Sequence, residues 1–204
     1  MRRFGCAGLG AALLLVAATT QAQVLPEGRA RQGYYISLDV LQGGAVQTVA
    51  DHGTLSTWPA MGMVAQVGEM LGDWASMGLR LSRGYSWGRT RQGNSLGMGF
   101  VFSALLWRQL SLDAGIGLGV AYVQPRAAKS YEESQGGVGT HYSAGCSYAF
   151  FPWHEAAESG GLALAPTLSA FVVPSEGVRT FSVLAGLRIV WWRGLGANRL
   201  APTR

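Results

Sequence analysis

The chain has 204 residues, of which 49% are hydrophobic and only 13% are charged, and its formal net charge is +5. Soluble domains usually carry about 25% charged residues, so this composition argues against an ordinary soluble enzyme or carrier. The positive charge forms no basic run and no basic patch interleaved with aromatic residues, which argues against a nucleic-acid partner. The composition is that of a membrane protein.

The N-terminal residues have the pattern of a secretory signal peptide. A short basic region at 1–4 precedes an apolar run at 6–18, and 20–22 is a small-x-small cleavage site. The apolar run of about 13 residues is shorter than the roughly 20 that a spanning helix needs. We therefore expect cleavage after Ala22, and export from the cytoplasm.

Eight later segments alternate between apolar residues and small or polar ones. A period of two puts the two sets on opposite faces of a β-strand. In chain order the segments are 34–40, 61–70, 74–87, 96–106, 110–122, 141–151, 162–172 and 181–192. After the signal, no uncharged apolar run reaches the ~18 residues of a spanning helix, so no transmembrane helix is predicted.

The segment 110–122 shows this alternation most clearly. Its even positions are apolar, and its odd positions are small or polar, with glycine at Gly115, Gly117 and Gly119. Such glycines would leave room inside a narrow barrel for bulky neighbours such as Arg80. Because backbone polar groups in lipid must be paired internally, the sequence predicts an all-β fold, an eight-stranded antiparallel up-and-down transmembrane β-barrel.

The connections between segments predict the orientation of this barrel. Residues 45–59, 88–95 and 125–139 are long and rich in glycine, serine and charge, whereas 71–73 and 107–109 are tight. Outer-membrane barrels pair short periplasmic turns with longer extracellular loops, so both termini are expected in the periplasm. Within the seventh segment, Pro166 cannot donate to a ladder, and we expect a bulge there.

The aromatic residues support the same orientation. They fall in two bands, with Tyr34, Trp74, Trp107 and Trp191 at the periplasmic rim and Trp87, Tyr122 and Tyr142 at the outer rim. Amphipathic rings favour the depth of the lipid headgroups, so two aromatic girdles are typical of a barrel in a bilayer.

In these features the chain resembles the small eight-stranded outer-membrane barrels of the OmpA/OmpX type, over 33–192. The last strand is also similar to the C-terminal signal that the barrel-assembly machinery recognises, here Gly186, Ile189 and Trp191. Two positions depart from that pattern: Leu184 stands where a polar residue is usual, and the chain continues beyond its last aromatic residue as 193–204.

Four charged residues are predicted to face the lumen: Asp39, Arg80, Asp113 and Arg188. Asp39 and Arg188 lie on neighbouring first and last strands, while Arg80 and Asp113 face one another across the lumen. An eight-stranded barrel encloses a space that side chains just fill, and buried charges need partners. A salt-bridged plug is therefore favoured, with a narrow gated channel as the alternative; the resemblance also implies an internal charged network.

His141, Ser143 and Glu155 are similar to the His-x-Ser…Glu arrangement of the outer-membrane lipid A deacylases. A serine nucleophile needs a base within hydrogen-bond reach, itself oriented by a carboxylate. His141 and Ser143 share a face, but Ala144 replaces the asparagine of that family, and Glu155 lies past the far end of the strand. A lipid-modifying hydrolase is thus an alternative and not the main prediction.

The sequence predicts a non-enzymatic, porin-like barrel of the Gram-negative outer membrane. Its domains are a signal peptide at 1–22, a short periplasmic segment at 23–32, the barrel at 33–192 and a periplasmic tail at 193–204. Its role is structural or interactive, as a monomer with a plugged lumen. Expected partners are outer-membrane lipids, lipopolysaccharide and the barrel-assembly machinery; no cofactor, metal or nucleic acid is expected.

Overall fold

The computed structural model describes residues 33–49, 53–54, 58–71, 74–106, 109–126, 135–150 and 160–193. These ranges contain nine strands, which are β1 (Tyr34–Val49), β2 (Gly53–Thr54), β3 (Trp58–Met70), β4 (Ala75–Trp87), β5 (Arg91–Leu106), β6 (Leu110–Pro125), β7 (Gln135–Tyr148), β8 (Gly160–Ser175) and β9 (Val178–Arg193). Among the described residues, no helix is long and apolar enough to cross a membrane.

The sheet closes on itself. From β3 to β9 each strand pairs with the next in antiparallel register, and β1 pairs with both β3 and β9. Eight strands therefore form the barrel wall, while the two-residue β2 pairs only with the end of β1. Closure gives every strand of the wall two partners, so the sheet presents no open edge to lipid. The predicted eight-stranded antiparallel barrel is confirmed.

Several strands are longer than the alternating apolar segments suggest. β1 continues to Val49, β5 begins at Arg91 and β7 begins at Gln135. The expected loop at 88–95 is consequently wrong, because only 88–90 separates β4 from β5. Backbone pairing continues past the apolar band since Gln92 and Asn94 keep their register with Trp87 and Tyr85 on β4.

The two faces of the wall follow the alternation of the sequence. Large apolar side chains cover the outside, as in Leu118, 67% exposed, and Phe100, 64% exposed. The inward position next to Phe100 is Val101, whose exposure is 0%. Exposed apolar side chains occur on each of the eight wall strands, and they form an apolar belt around the barrel. A belt of this extent is suited to acyl chains and not to water.

The ladder between β7 and β8 keeps a single register, but two prolines interrupt its pairing. Pairing runs from Gly139↔Ser175 to Ser147↔Thr167 in one register, and an isolated bridge joins Phe150 to Leu164. The gaps in this ladder fall at Pro174 and Pro166, which have no N–H to donate. A bulge would shift the register by one residue, so the bulge expected at Pro166 is wrong.

The apolar belt predicts a depth-dependent cost of charge on the outer face. Leu79→Arg, in the middle of the belt on β4, should lower the free energy of unfolding in lipid vesicles by about 2–4 kcal/mol. Thr90→Arg, at an exposed position in the connection between β4 and β5, should cost less than about 1 kcal/mol. Urea titration of the vesicle-embedded protein measures both values, and equal losses would contradict the assignment of the belt.

The interrupted ladder predicts that the β7–β8 seam opens more readily than its neighbours. Backbone amides of β8 should exchange with deuterium faster than those of β6, whose ladders with β5 and β7 are continuous. Replacing both Pro166 and Pro174 with valine restores two donors, so it should slow exchange in β8. Mass spectrometry of deuterated peptides measures the rates, and equal protection of β6 and β8 in the unmodified protein would refute the prediction.

Candidate functional site: the lumen

The lumen contains a layer of four charged side chains in direct contact. Arg188 donates from Nε and Nη2 to the two carboxylate oxygens of Asp39, each at 2.9 Å, and from Nη1 to Oδ2 of Asp113 at 2.8 Å. Arg80 donates from Nη2 to the same Oδ2 at 3.1 Å. All four residues are buried, with exposures of 5% or less. The structure thus brings the four sequence-predicted lumen charges into one ion-paired layer.

The positions of these charges follow from strand register. Asp39 on β1 lies directly opposite Arg188 on β9, at the seam that closes the barrel. Arg80 and Asp113 come from β4 and β6, which are separated by β5. The two arginines and two aspartates balance in formal charge, and a bidentate guanidinium–carboxylate pair is among the strongest arrangements that desolvated charges can adopt.

Neutral side chains complete the hydrogen bonding of Arg80. Its Nε and Nη2 donate to Oε1 of Gln66, at 3.3 and 3.1 Å, and its Nη1 donates to the hydroxyl of Ser143 at 2.9 Å. The amide of Gln66 donates in turn to the hydroxyl of Tyr35 at 2.6 Å, and the Tyr35 ring packs against Trp192 with centroids 4.9 Å apart. In the sequence, the only sign of these partners is that they are polar residues at inward positions. Which of them meet is decided by the register between strands that are far apart in the sequence.

Buried apolar clusters lie on both sides of the charged layer. At the end of the barrel that holds the chain termini, one cluster consists of Tyr35, Met70, Ala149, Ala163, Ala165, Val190 and Trp192. At the opposite end, another consists of Val49, Trp58, Ala121, Val123, Val173 and Val178. A third lies between the charged layer and that end and includes Leu41, Val64, Phe171 and Leu184.

Little space is left between these layers. A cavity of about 30 Å³ lies on the inner side of the charged layer and another of about 10 Å³ lies nearer the outer end. One water needs roughly 10–15 Å³ of such space, so the first cavity has room for about two waters and the second for about one. Neither is large enough for a substrate.

Glycines of β5 and β6 leave room for close neighbours. A Cβ on Gly117 would lie 2.1 Å from the carbonyl oxygen of Met98, so this glycine is required by the approach of β5 to β6. A Cβ on Gly115 would meet the Ser143 hydroxyl, and a Cβ on Gly97 would meet the His141 ring. These glycines, with Gly119 beside His141 and Val173, therefore leave room for inward neighbours as expected, but Arg80 is not among the nearest atoms.

The hydrolase residues do not form a nucleophile–base pair. Nε2 of His141 lies 3.1 Å from the hydroxyl of Ser82, and its ring stacks on Phe171 with centroids 5.9 Å apart. The hydroxyl of Ser143 accepts from Arg80 instead, and a serine that accepts from a cation is not activated by a neighbouring base. Glu155 lies outside the described residues. Within those residues, no group of three histidine, cysteine or acidic side chains could hold a metal ion.

The fold agrees with that of solved outer-membrane proteins. Ail, the attachment invasion locus protein of Yersinia pestis, matches with a TM-score of 0.50 and 12% identity, over 78% of this chain and 99% of its own. Neisserial surface protein A matches with a TM-score of 0.49 and 16% identity, over 77% and 96% of the two chains. No protein-family model and no curated protein matches the chain.

The chain has the fold of the small outer-membrane barrels. Its exposed apolar belt places it in the outer membrane, where barrels of this type span the bilayer. The exposed rings include Tyr34, Trp74 and Trp191 at the inner end of this outer-membrane barrel and Tyr122 at the outer end. Tyr142 is also exposed, but it lies near the middle of β7, opposite Ile116 of β6. Trp87, also at the outer end, is half-buried and stacks on Tyr85, while Trp107 lies outside the described residues.

The residues of the predicted assembly signal lie on β9 at the closing seam. Ile189 and Trp191 point outward and are 42% and 47% exposed. A Cβ on Gly186 would lie 1.9 Å from the carbonyl oxygen of Val40, so glycine permits the close approach of β9 to β1. The expected signal peptide at 1–22, the expected periplasmic segment at 23–32 and residues 194–204 of the expected tail lie outside the described residues.

The charged layer predicts that losing its central cation is costly. Arg188→Met leaves Asp39 with no cation and should lower the free energy of unfolding by about 3–5 kcal/mol. In Arg188→Met/Asp39→Leu, much of this loss should return, because Asp113 keeps Arg80. Urea titration in vesicles measures both variants, with the exposed Arg179→Met as the control, expected to cost under about 1 kcal/mol. A double variant no more stable than Arg188→Met would contradict the pairing.

Proposed function

We propose that the chain is an outer-membrane barrel with a plugged lumen, which acts through its surfaces in a structural or interactive role. The observation that carries this proposal is the ion-paired layer of Asp39, Arg80, Asp113 and Arg188, held between buried apolar clusters. The buried apolar clusters lie between this layer and the two ends of the barrel, and the charges of the layer are already paired with one another.

Other molecules can then contact the barrel at its lipid-facing wall and at its outer end. The apolar belt contacts the acyl chains of the membrane, and the outer end carries the connections at 50–57 and 127–134, between β1 and β3 and between β6 and β7. The proposed partners are outer-membrane lipids and lipopolysaccharide, together with the barrel-assembly machinery during insertion. We propose a monomer, since closure leaves no open edge on the eight described wall strands for a second copy.

Single-channel recording tests the plugged lumen. Folded protein, identified by a gel mobility that changes on boiling, should produce no discrete conductance steps in planar bilayers. Arg80→Ala and Arg188→Met/Asp39→Leu supply variants with weakened layers, and the apolar clusters at both ends should keep these closed as well. Steps in the unmodified protein that change with Arg80→Ala would overturn the proposal in favour of a narrow channel.

The same preparation tests the absence of catalysis. Incubation with lipopolysaccharide should release no acyl chains, because the Ser143 hydroxyl is engaged by Arg80 and the lumen has no room for a lipid. Release that disappears in Ser143→Ala would support a hydrolase. Ser169→Ala, another buried lumen serine, is the matched control for effects of removing a hydroxyl.

A further inference from the structure

Four arginines gather where β4, β5 and β6 reach the outer end of the barrel. They are Arg83, Arg89, Arg91 and Arg126, called here the arginine patch. Backbone hydrogen bonds hold the segments together: Gly88 N–H donates to the Arg91 carbonyl and Arg126 N–H donates to the Thr90 carbonyl, each at 2.8 Å. Residues 83–95 and 117–126 contain no aspartate or glutamate, and the acid of β6, Asp113, is buried in the lumen layer, so no acid lies on these outer parts of the strands.

These arginines differ from those of the lumen in having no charged partner among the described residues. Arg83, Arg89 and Arg126 are exposed and Arg91 is half-buried. The ion pairs among the described residues belong to Arg80 and Arg188. The exposed guanidinium groups of Arg83, Arg89 and Arg126 are available for bidentate binding of an external anion, whereas Arg91 stands at an inward position of β5, at the rim of the barrel.

The depth of the patch matches the lipid headgroups. Arg83 points outward from β4, one outward position beyond Leu81 of the apolar belt and one before Tyr85. Tyr85 stacks on Trp87 at 5.7 Å between ring centroids, and its hydroxyl donates to Gln92 at 2.9 Å. Stacked aromatic rings with a polar tip mark the membrane interface, and the Arg83 stem can carry its charge to that level.

Charge along the barrel is also asymmetric. Arg179, on β9, adds a fourth exposed arginine at the outer end, where Glu176 is the exposed acid of the described residues, whereas the belt's inner border on β3 carries the exposed acid Glu69. A cationic border at one end favours the leaflet with the more anionic headgroups at that depth. Phosphate bound to the sugars of lipopolysaccharide lies at that depth in the outer leaflet.

We propose that the arginine patch binds the phosphate groups of lipid A, the membrane-embedded part of lipopolysaccharide. This inference rests on the proposed surface role and adds the residues and the chemical group through which lipopolysaccharide would be bound. The aromatic pair Tyr85 and Trp87 sets the depth, Arg83 reaches the phosphate from the lipid side, and Arg89 and Arg126 reach it from above.

Urea unfolding in vesicles of defined composition tests this binding site. The full chain is folded into phosphatidylcholine vesicles that contain either bis-phosphorylated lipid A or the same lipid A without its phosphates. The phosphorylated lipid should shift the unfolding midpoint to higher urea, and raising the salt concentration from about 0.05 to 0.5 M should reduce that shift. Replacing the four arginines of the patch with glutamine should remove most of it.

Matched variants and lipids keep this test decisive. Glu69→Gln, at the opposite border, should retain the full shift, and Arg89→Gln/Arg126→Gln, which leaves the strands unchanged, should lose about half if the contributions are equal. An equal shift from phosphatidylglycerol at matched charge, or from lipid A without phosphate, would overturn the proposal, as would a shift retained by the fourfold variant. A normal mobility change on boiling and a silent bilayer recording would still leave the proposed plugged barrel standing.

Discussion

The pairing of every strand in the wall on both sides is the constraint on which the rest of this structure depends. In hydrocarbon an unpaired backbone group has no water to bond, so the sheet must close, and β1 closes it by pairing with β9. Eight strands then enclose a space only as wide as the side chains that fill it. The inward residues must therefore satisfy one another, which is why two arginines and two aspartates meet at one level of the lumen.

The alternation of the sequence was sufficient to predict the faces of the wall. Side-chain direction in a strand has a period of two, so one clear segment such as 110–122 assigns inward and outward residues whatever its partners are. Asp39, Arg80, Asp113 and Arg188 could be placed inside on this basis alone. That Arg188 would bond both aspartates depends on the stagger between β1, β6 and β9, which a pattern within each strand does not encode.

The alternation of the sequence could not predict where strands end or which side chains meet in the lumen. Polar residues such as Gln92 and Asn94 look like loop residues, yet backbone pairing does not require an apolar side chain once the strand leaves the membrane. Likewise the hydrolase alternative required Ser143, on the same strand, as the partner of His141, but Ser82 from β4 occupies that place. A short sequence motif describes the spacing of residues along one strand. It does not describe which residues of other strands meet them inside the barrel.

Closure and filling also explain why the barrel can tolerate a weak seam. Pro166 and Pro174 each remove one donor between β7 and β8, yet both keep their register with β9 on the other side. Inside the lumen, Phe171 on β8 packs on His141 of β7, so side-chain contact spans the seam where the ladder is interrupted. The wall and its contents are in this way mutually dependent: the ladder aligns the inward residues, and their packing holds the wall together where the ladder is incomplete.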